Sequence, residues 1–120
     1  MAYTATHKYA RISPRKVRAL ADLVRGKFAD EALDILRFQP HRGARMLEKV
    51  IKSALGNAEH QQAPGVDDLV VVDARVDGGP MFKRIRPRAR GMAFGIKRRM
   101  SHIKVKLDSV SPETTAPAAE

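Results

Sequence analysis

Three segments in the first half of the chain repeat apolar residues at helical spacing, which predicts three amphipathic helices. The first has Ser13 as its N-cap and Pro14 at the first helical position, and Gly26 is a suitable C-terminal stop. The second extends from Asp30, as N-cap, to Phe38. The third is the most regular and covers about residues 42–60. Its apolar stripe consists of Ala44, Leu47, Ile51, Ala54, Leu55 and Ala58.

The apolar period changes from helical to alternating in the second half of the chain. Residues 68–77 are rich in valine and predict a strand, and residues 102–108 alternate, with Ile103 and Leu107 on one face and Lys104 on the other. A further short strand is predicted at residues 4–11. Helices followed by strands indicate an α+β fold in which three helices pack on a small antiparallel sheet, with a long protruding β-hairpin.

The domain organisation follows from length and composition. A chain of 120 residues has the size of one domain, which we place at residues 1–108. Residues 109–120 contain few bulky apolar side chains and are expected to form a disordered tail.

Positive charge is concentrated in two segments. The chain has 23 Lys and Arg against 13 Asp and Glu, a net charge of +10. Residues 1–20 hold five cations and no acid, and residues 81–106 hold ten cations and no acid, whereas residues 21–80 are nearly neutral. A neutral body that carries two cationic segments indicates a polyanionic partner.

Residues 79–100 are predicted to form a basic β-hairpin arm. Four arginines recur there at period two, and in an extended strand they would point to one side at intervals of about 6.6–6.8 Å. Pro87 excludes a central strand, and Gly91 permits a sharp reversal, after which residues 92–99 return alongside. The four arginines are Arg84, Arg86, Arg88 and Arg90.

The alternative interpretation of the arm is a solvated charged loop. Soluble surfaces mix charges of both signs, so a run of ten cations without an acid favours nucleic-acid contact. Phe82 and Phe94 flank the arm and would either stack on bases or anchor the hairpin to its own domain. Residues 11–18 are a second candidate contact, since a helix N-terminus attracts phosphate; the alternative there is an ordinary capped surface helix.

Other function classes find little support in the sequence. The absence of Cys excludes disulfides and thiolate sites, and the four His lack metal-ligand spacing, so we expect neither a metal nor a cofactor. No apolar run is long enough to cross a bilayer, so we expect a cytoplasmic protein with no membrane partner. The acids Asp22, Asp30, Glu31 and Asp34 are expected to cap helices or to pair on the surface.

The alternatives to an RNA-binding structural protein are a DNA-binding module and an enzyme that acts on RNA. A DNA-binding module would be supported by a helix-turn-helix or a basic zipper, and neither pattern occurs. An enzyme acting on RNA would need a carboxylate or a His near the arm, and residues 81–101 contain none. We therefore expect a protein that is not an enzyme.

Several separate motifs, in order along the chain, resemble the bacterial large-subunit ribosomal protein twenty-two family. The resemblance covers residues 6–108. At three positions the chain departs from the family pattern: Phe82 replaces a flexible side chain such as Met, Met92 stands where Arg is frequent, and Gly95 replaces a polar or basic residue. The motifs are residues 13–18 (SPRKVR), 22–27 (DLVRGK), 32–36 (ALDIL), 53–54 (SA) with 57–60 (NAEH), 83–85 (KRI) with 87–89 (PRA), and 101–103 (SHI).

The resemblance implies a structural component of the large ribosomal subunit that binds 23S rRNA and supports subunit assembly. It implies further partners in other large-subunit proteins and in the nascent polypeptide, which would pass the hairpin tip in the exit tunnel; no homo-oligomer is expected. The implied arm contacts to rRNA are Lys83, Arg84, Arg86, Arg88, Arg90, Lys97, Arg98 and Arg99. The implied body contacts are Arg11, Arg15, Lys16, Arg18 and His102, and the implied tip residues are Arg88, Ala89, Arg90, Gly91 and Met92.

Overall fold

A computed structural model describes residues 3–62, 65 and 68–109, and in it three helices cover one face of a three-stranded antiparallel sheet. The strand order is β1-β3-β2, with β3 in the centre. This confirms the predicted α+β fold; the tail expected at residues 109–120 lies, beyond Ser109, outside the described residues. In chain order the elements are β1 (Tyr3–Ala10), α1 (Pro14–Val24), α2 (Ala29–Arg37), α3 (Arg42–His60), β2 (Leu69–Pro87), a 3₁₀ turn (Ala89–Gly91) and β3 (Ala93–Ser109).

The core lies between the helices and the inner face of the sheet. Ile103, Val105 and Leu107 of β3 are fully buried, whereas Lys104 and Lys106 between them are exposed, as the alternating pattern predicts. The predicted stripe of α3 is buried except for Leu55, which is only partly buried, and Gly43 and Val50 are buried in addition. The helices thus shield the inner face of the sheet from solvent, and the arm extends beyond the region that they cover.

Helix α1 begins and ends where the sequence indicates. Ser13 occupies the N-cap position and Pro14 the first turn, although the Ser13 side chain makes no capping hydrogen bond. Gly26 has a φ of 85°, a conformation that costs a glycine little. Its N–H donates a 2.8 Å hydrogen bond to the Val71 carbonyl oxygen, which ties the end of α1 to β2.

Helix α2 begins two residues earlier than the predicted cap implies. Its N-cap is Phe28, not Asp30, and Asp30 lies in the first turn. Phe28 stays extended because it pairs with Val70 in an isolated β-bridge, an interaction that the local sequence does not reveal. Acidic Asp30 and Glu31 in the first turn still suit the positive end of the helix dipole.

The two predicted strands and the arm are not separate elements. Strands β2 and β3 each continue from the body into the arm, so the strand predicted at residues 68–77 and the outgoing half of the arm form one strand, β2. The register shifts between Gly78 and Met81, and regular pairing resumes with Met81 opposite Arg99. It continues to Pro87, which lies on an edge strand as predicted.

The prediction that four arginines share one side of an extended strand is wrong at its last member. Arg84 and Arg86 lie in β2, and Arg88 is still extended with φ −126°. Arg90 has a φ of 63° and sits inside the turn, where the chain must reverse its direction. Gly91, with a φ of 70°, completes the reversal.

Candidate nucleic-acid interface

The two faces of the arm differ in chemistry. Residues directly opposite each other in an antiparallel pair project to the same face, so the register assigns every arm residue to one of them. One face, which we call the arginine face, combines Phe82 with Arg98, Arg84 with Ile96, and Arg86 with Phe94. The other carries Met81, Lys83, Lys97 and Arg99 near the body, and Ile85, Pro87, Ala93 and Gly95 towards the tip.

The arginine face alternates cations with flat or apolar side chains, a combination that suits both phosphates and bases. The Arg84 guanidinium carbon lies 5.3 Å from the centre of the Phe82 ring, within range of a cation–π interaction. Phe82 is 46% exposed and Phe94 53% exposed. Neither aromatic ring is therefore a core anchor of the arm, which favours the stacking alternative over the anchoring one.

A cleft separates the base of the arm from the first turns of α1 and α3. Its volume is about 1130 Å³, and it brings the two cationic segments of the sequence together. Eight of its lining residues are Lys or Arg, and none is Asp or Glu. The eight cations are Arg11, Arg15, Lys16, Arg42, Arg84, Lys97, Arg98 and Arg99.

Arg42 and its neighbour His41 were not among the predicted contacts, although both line this cleft. They lie in the nearly neutral central segment, about 20 residues after the first cationic segment and about 40 before the second, and no local signal distinguishes them. Arg42 stands at the first position of α3 and donates a hydrogen bond to the Arg11 carbonyl oxygen. Only the packing of α3 against the start of α1 brings these residues to the cleft.

Buried contacts hold the walls of the cleft in place. Ser101, which is fully buried in β3, donates a 2.6 Å hydrogen bond from its Oγ to the Ile12 carbonyl oxygen. Gly43 lies so close to α1 that a Cβ there would stand 3.2 Å from side-chain atoms of Ile12, Val17 and Leu20. The two helix N-termini are therefore packed together before any ligand arrives.

Two of the expected body contacts already interact within the domain. The Arg18 Nε donates a 3.1 Å hydrogen bond to the Val76 carbonyl oxygen. His102 accepts a 3.1 Å hydrogen bond at Nδ1 from the Tyr9 backbone N–H, and its ring packs edge-on against the Tyr9 ring at 5.0 Å. Neither residue lines the cleft.

Other cations also have structural partners. Arg25 forms an ion pair of 2.7 Å with Asp22 and donates a 2.6 Å hydrogen bond to the Ala74 carbonyl oxygen. Arg45 pairs with Glu48 and donates hydrogen bonds to carbonyl oxygens at the end of α2. Within the described part of the chain, in contrast, none of the eight cleft cations forms an ion pair.

The remaining arm cations lie outside the cleft. Lys83, Arg86, Arg88 and Arg90 are all exposed, and they follow the arm towards its tip. The tip residues 88–92 are exposed as well. The predicted arm contacts are thus all exposed, and they occupy both faces of the arm between the cleft and the turn.

Residues 3–62, 65 and 68–109 offer no support for a metal site or a membrane-spanning helix. No group of three or more His, Cys, Asp or Glu in this part of the chain could hold a metal ion. No described helix is long and apolar enough to cross a membrane.

Comparison with known proteins identifies the family. The family model described as ribosomal protein L22p/L17e matches residues 5–108. A protein of Rhodopirellula baltica named large ribosomal subunit protein uL22 is 66% identical over 113 residues, which cover 90% of this chain and 95% of that protein. Proteins of the same name from Caldicellulosiruptor saccharolyticus and Desulfotalea psychrophila are 57% and 55% identical, covering 87% of this chain and 85% and 94% of theirs.

The match extends over nearly all of the described chain, arm and body alike. The family is structural and not enzymatic, in agreement with the prediction made from the sequence. The relatives are bacterial large-subunit proteins, and bacterial ribosomes are cytoplasmic. The chain belongs to the ribosomal protein L22p/L17e family, the structural large-subunit proteins also named uL22.

Proposed function

We propose that this protein binds 23S rRNA as a structural constituent of the large ribosomal subunit and supports the assembly of that subunit. The observation that carries the proposal is the cleft, where eight cations from three parts of the chain converge without an acidic partner in the described residues. Like charges held this closely repel one another, and RNA phosphates would remove that repulsion.

Contacts to rRNA extend from the cleft along the arm. Arginine suits such contacts, because its planar guanidinium binds phosphate through two hydrogen bonds and stacks on bases. The proposed arm contacts are Lys83, Arg84, Arg86, Arg88, Arg90, Lys97, Arg98 and Arg99. In the body, Arg11, Arg15 and Lys16 contact RNA in the cleft, with Arg18 and His102 beside it.

The tip of the arm helps to line the nascent-peptide exit tunnel, where residues 88–92 face the growing polypeptide. What supports this role is exposure: every residue of the turn is accessible, and nothing in the described body packs on it. The remaining partners are neighbouring large-subunit proteins, and the protein acts as a single copy of one domain, residues 1–108, in the cytoplasm.

Co-sedimentation tests the proposal. The tagged chain is expressed in bacteria, and lysates are resolved on sucrose gradients before and after a high-salt wash. We expect near-stoichiometric migration with large subunits and with whole ribosomes that resists the wash. Recovery in soluble or DNA fractions would instead favour the DNA-binding alternative.

A matched pair of triple variants separates the interface from net charge. Replacing Arg84, Arg86 and Arg98 by Gln should reduce incorporation into large subunits. Replacing Arg37, Lys49 and Lys52, which are exposed on α2 and α3, removes the same charge and should leave incorporation unchanged. Equal effects of the two variants would show that overall charge, not the arm, governs binding.

A further inference from the structure

We infer that the cleft at the base of the arm is a preformed site for one unpaired RNA nucleotide, whose base stacks on Phe82 and whose flanking phosphates bind the surrounding cations. This inference rests on the proposed function, because it assumes that RNA is the partner. It adds the form of RNA that the cleft accepts and the residue that selects it.

The size of the cleft supports a nucleotide as its occupant. Sites for small molecules and cofactors usually enclose about 300–1,000 Å³, and the cleft, at about 1130 Å³, has room for a base, its sugar and both neighbouring phosphates. A cleft that bound phosphates alone would need only a cationic rim. This one also has an apolar lining, provided by Ile12, Ala19, Gly43, Phe82 and Met100.

Phe82 is the side chain suited to bind the base. It lines the cleft, it is 46% exposed, and one side of its ring is approached by the Arg84 guanidinium at 5.3 Å. An aromatic ring left half exposed in a soluble domain costs hydrophobic free energy, which a stacked base would recover. Because the Arg84 guanidinium lies over one face of the ring, the base stacks on the other face.

The RNA must be unpaired at this position. Bases inside an A-form duplex are stacked on their neighbours, and the deep, narrow major groove does not admit side chains. A ring within a cleft can therefore stack only on a base that has left its helix, as at a bulge or in a loop. The charged walls add phosphate contacts on both sides, from Arg15 and Lys16 of α1 and from Arg98 of β3.

The site is formed before RNA binds. The Ser101–Ile12 hydrogen bond of 2.6 Å joins β3 to the segment before α1, and Arg42 links α3 to the Arg11 carbonyl oxygen. The contact of Gly43 with α1 leaves no room for the helix starts to approach further. Because the walls need little rearrangement, the free protein should already distinguish RNA forms.

The test uses the full chain and two RNA hairpins of equal length, one with a single bulged adenosine in its stem and one fully paired. Phe82→Leu keeps an apolar side chain but loses the stacking ring, and Phe38→Leu is the matched control, because Phe38 is 83% exposed at the C-cap of α2 and lies outside both the arm and the cleft. Thermal unfolding verifies that both variants fold.

The wild-type protein should bind the bulged hairpin more tightly than the paired one. Phe82→Leu should weaken binding of the bulged hairpin by about 5- to 150-fold, the range expected for one stacked base, and should leave the paired hairpin unaffected. Phe38→Leu should preserve the preference. With 2-aminopurine at the bulge, fluorescence should fall on binding to the wild type and fall less with Phe82→Leu.

The outcomes separate this inference from the proposed function. Salt-dependent binding of both hairpins with equal affinity, or equal effects of the two variants, would overturn the nucleotide site while leaving RNA binding intact. Failure of the wild-type protein to bind any RNA, including 23S rRNA itself, would overturn both.

Discussion

Ser101 and Ile12 are joined by a 2.6 Å hydrogen bond from the Ser101 Oγ to the Ile12 carbonyl oxygen, and the two residues are 0% and 6% exposed. This bond spans 89 residues of sequence and connects the base of the arm to the segment that precedes α1. It lies behind the cleft, so the stability of the body and the shape of the RNA-binding surface depend on the same contact.

The first prediction concerns this hydrogen bond. Ser101→Ala leaves the Ile12 carbonyl oxygen buried without that partner, which should lower the free energy of unfolding by about 1–3 kcal/mol. Urea denaturation followed by circular dichroism measures the effect. Ser53→Ala, at an exposed position of α3, should change stability little, and an equally small effect of Ser101→Ala would contradict the role assigned to the bond.

A pair of glycine substitutions should act in opposite directions. Gly26→Ala places a side chain where φ is 85° but meets no neighbouring atom, so backbone strain alone should destabilise the protein, by about 1–2 kcal/mol. Gly56→Ala in the middle of α3 is equally unobstructed and should stabilise it by about 0.5–1 kcal/mol. Thermal melts of both variants test this, and shifts of the same sign would refute it.

Arg45 should stabilise the junction between α2 and α3. Its guanidinium donates 3.0 Å hydrogen bonds to the carbonyl oxygens of Leu36 and Arg37 in the last turn of α2, where the helix lacks further N–H donors of its own. Arg45→Met should therefore cost about 1–2 kcal/mol of unfolding free energy. Lys49→Met removes the same charge from an exposed site of α3 and should cost less; equal losses would mean that charge, not capping, matters.

The arm should be less protected than the body in the free protein. An isolated two-stranded ribbon has only marginal stability in water. Residues 84–96 of the arm form such a ribbon, because no third strand pairs with them. Amide hydrogen exchange measured by mass spectrometry should be fast there and slow at Ile103–Leu107, where β3 is the central strand. Addition of 23S rRNA should slow exchange in the arm; exchange as slow as in the core without RNA would contradict this prediction.

Removing a single cation of the cleft should weaken the salt dependence of RNA binding. Arg98→Gln removes one proposed phosphate contact and should reduce the slope of log affinity against log salt by about 0.7–0.9. Filter binding to 23S rRNA at several salt concentrations measures the slope. Arg37→Gln, on the exposed end of α2, should leave it unchanged, and an identical reduction would argue against a localised contact.

The sequence by itself determined the elements of this protein and the location of its charge. Helical periodicity predicted α3 with both of its boundaries, and strict alternation predicted the buried side of β3 at Ile103, Val105 and Leu107. Both succeed because the period of the apolar residues reports directly on which side of an element is buried. The family resemblance, carried by short motifs, also agrees with the family match.

Only the tertiary structure decided how these elements meet. Helix α2 starts at Ala29 instead of the predicted position because Phe28 pairs with Val70. Arg90 does not lie on the same side as the other three arginines because the chain reverses there. The cleft unites Arg15, Arg42 and Arg98, which are far apart in the chain. The periodicity of apolar residues reports which side of each segment is buried, but it carries no information on long-range packing. The proposed site depends on such packing, because it forms where α1, α3 and the arm meet.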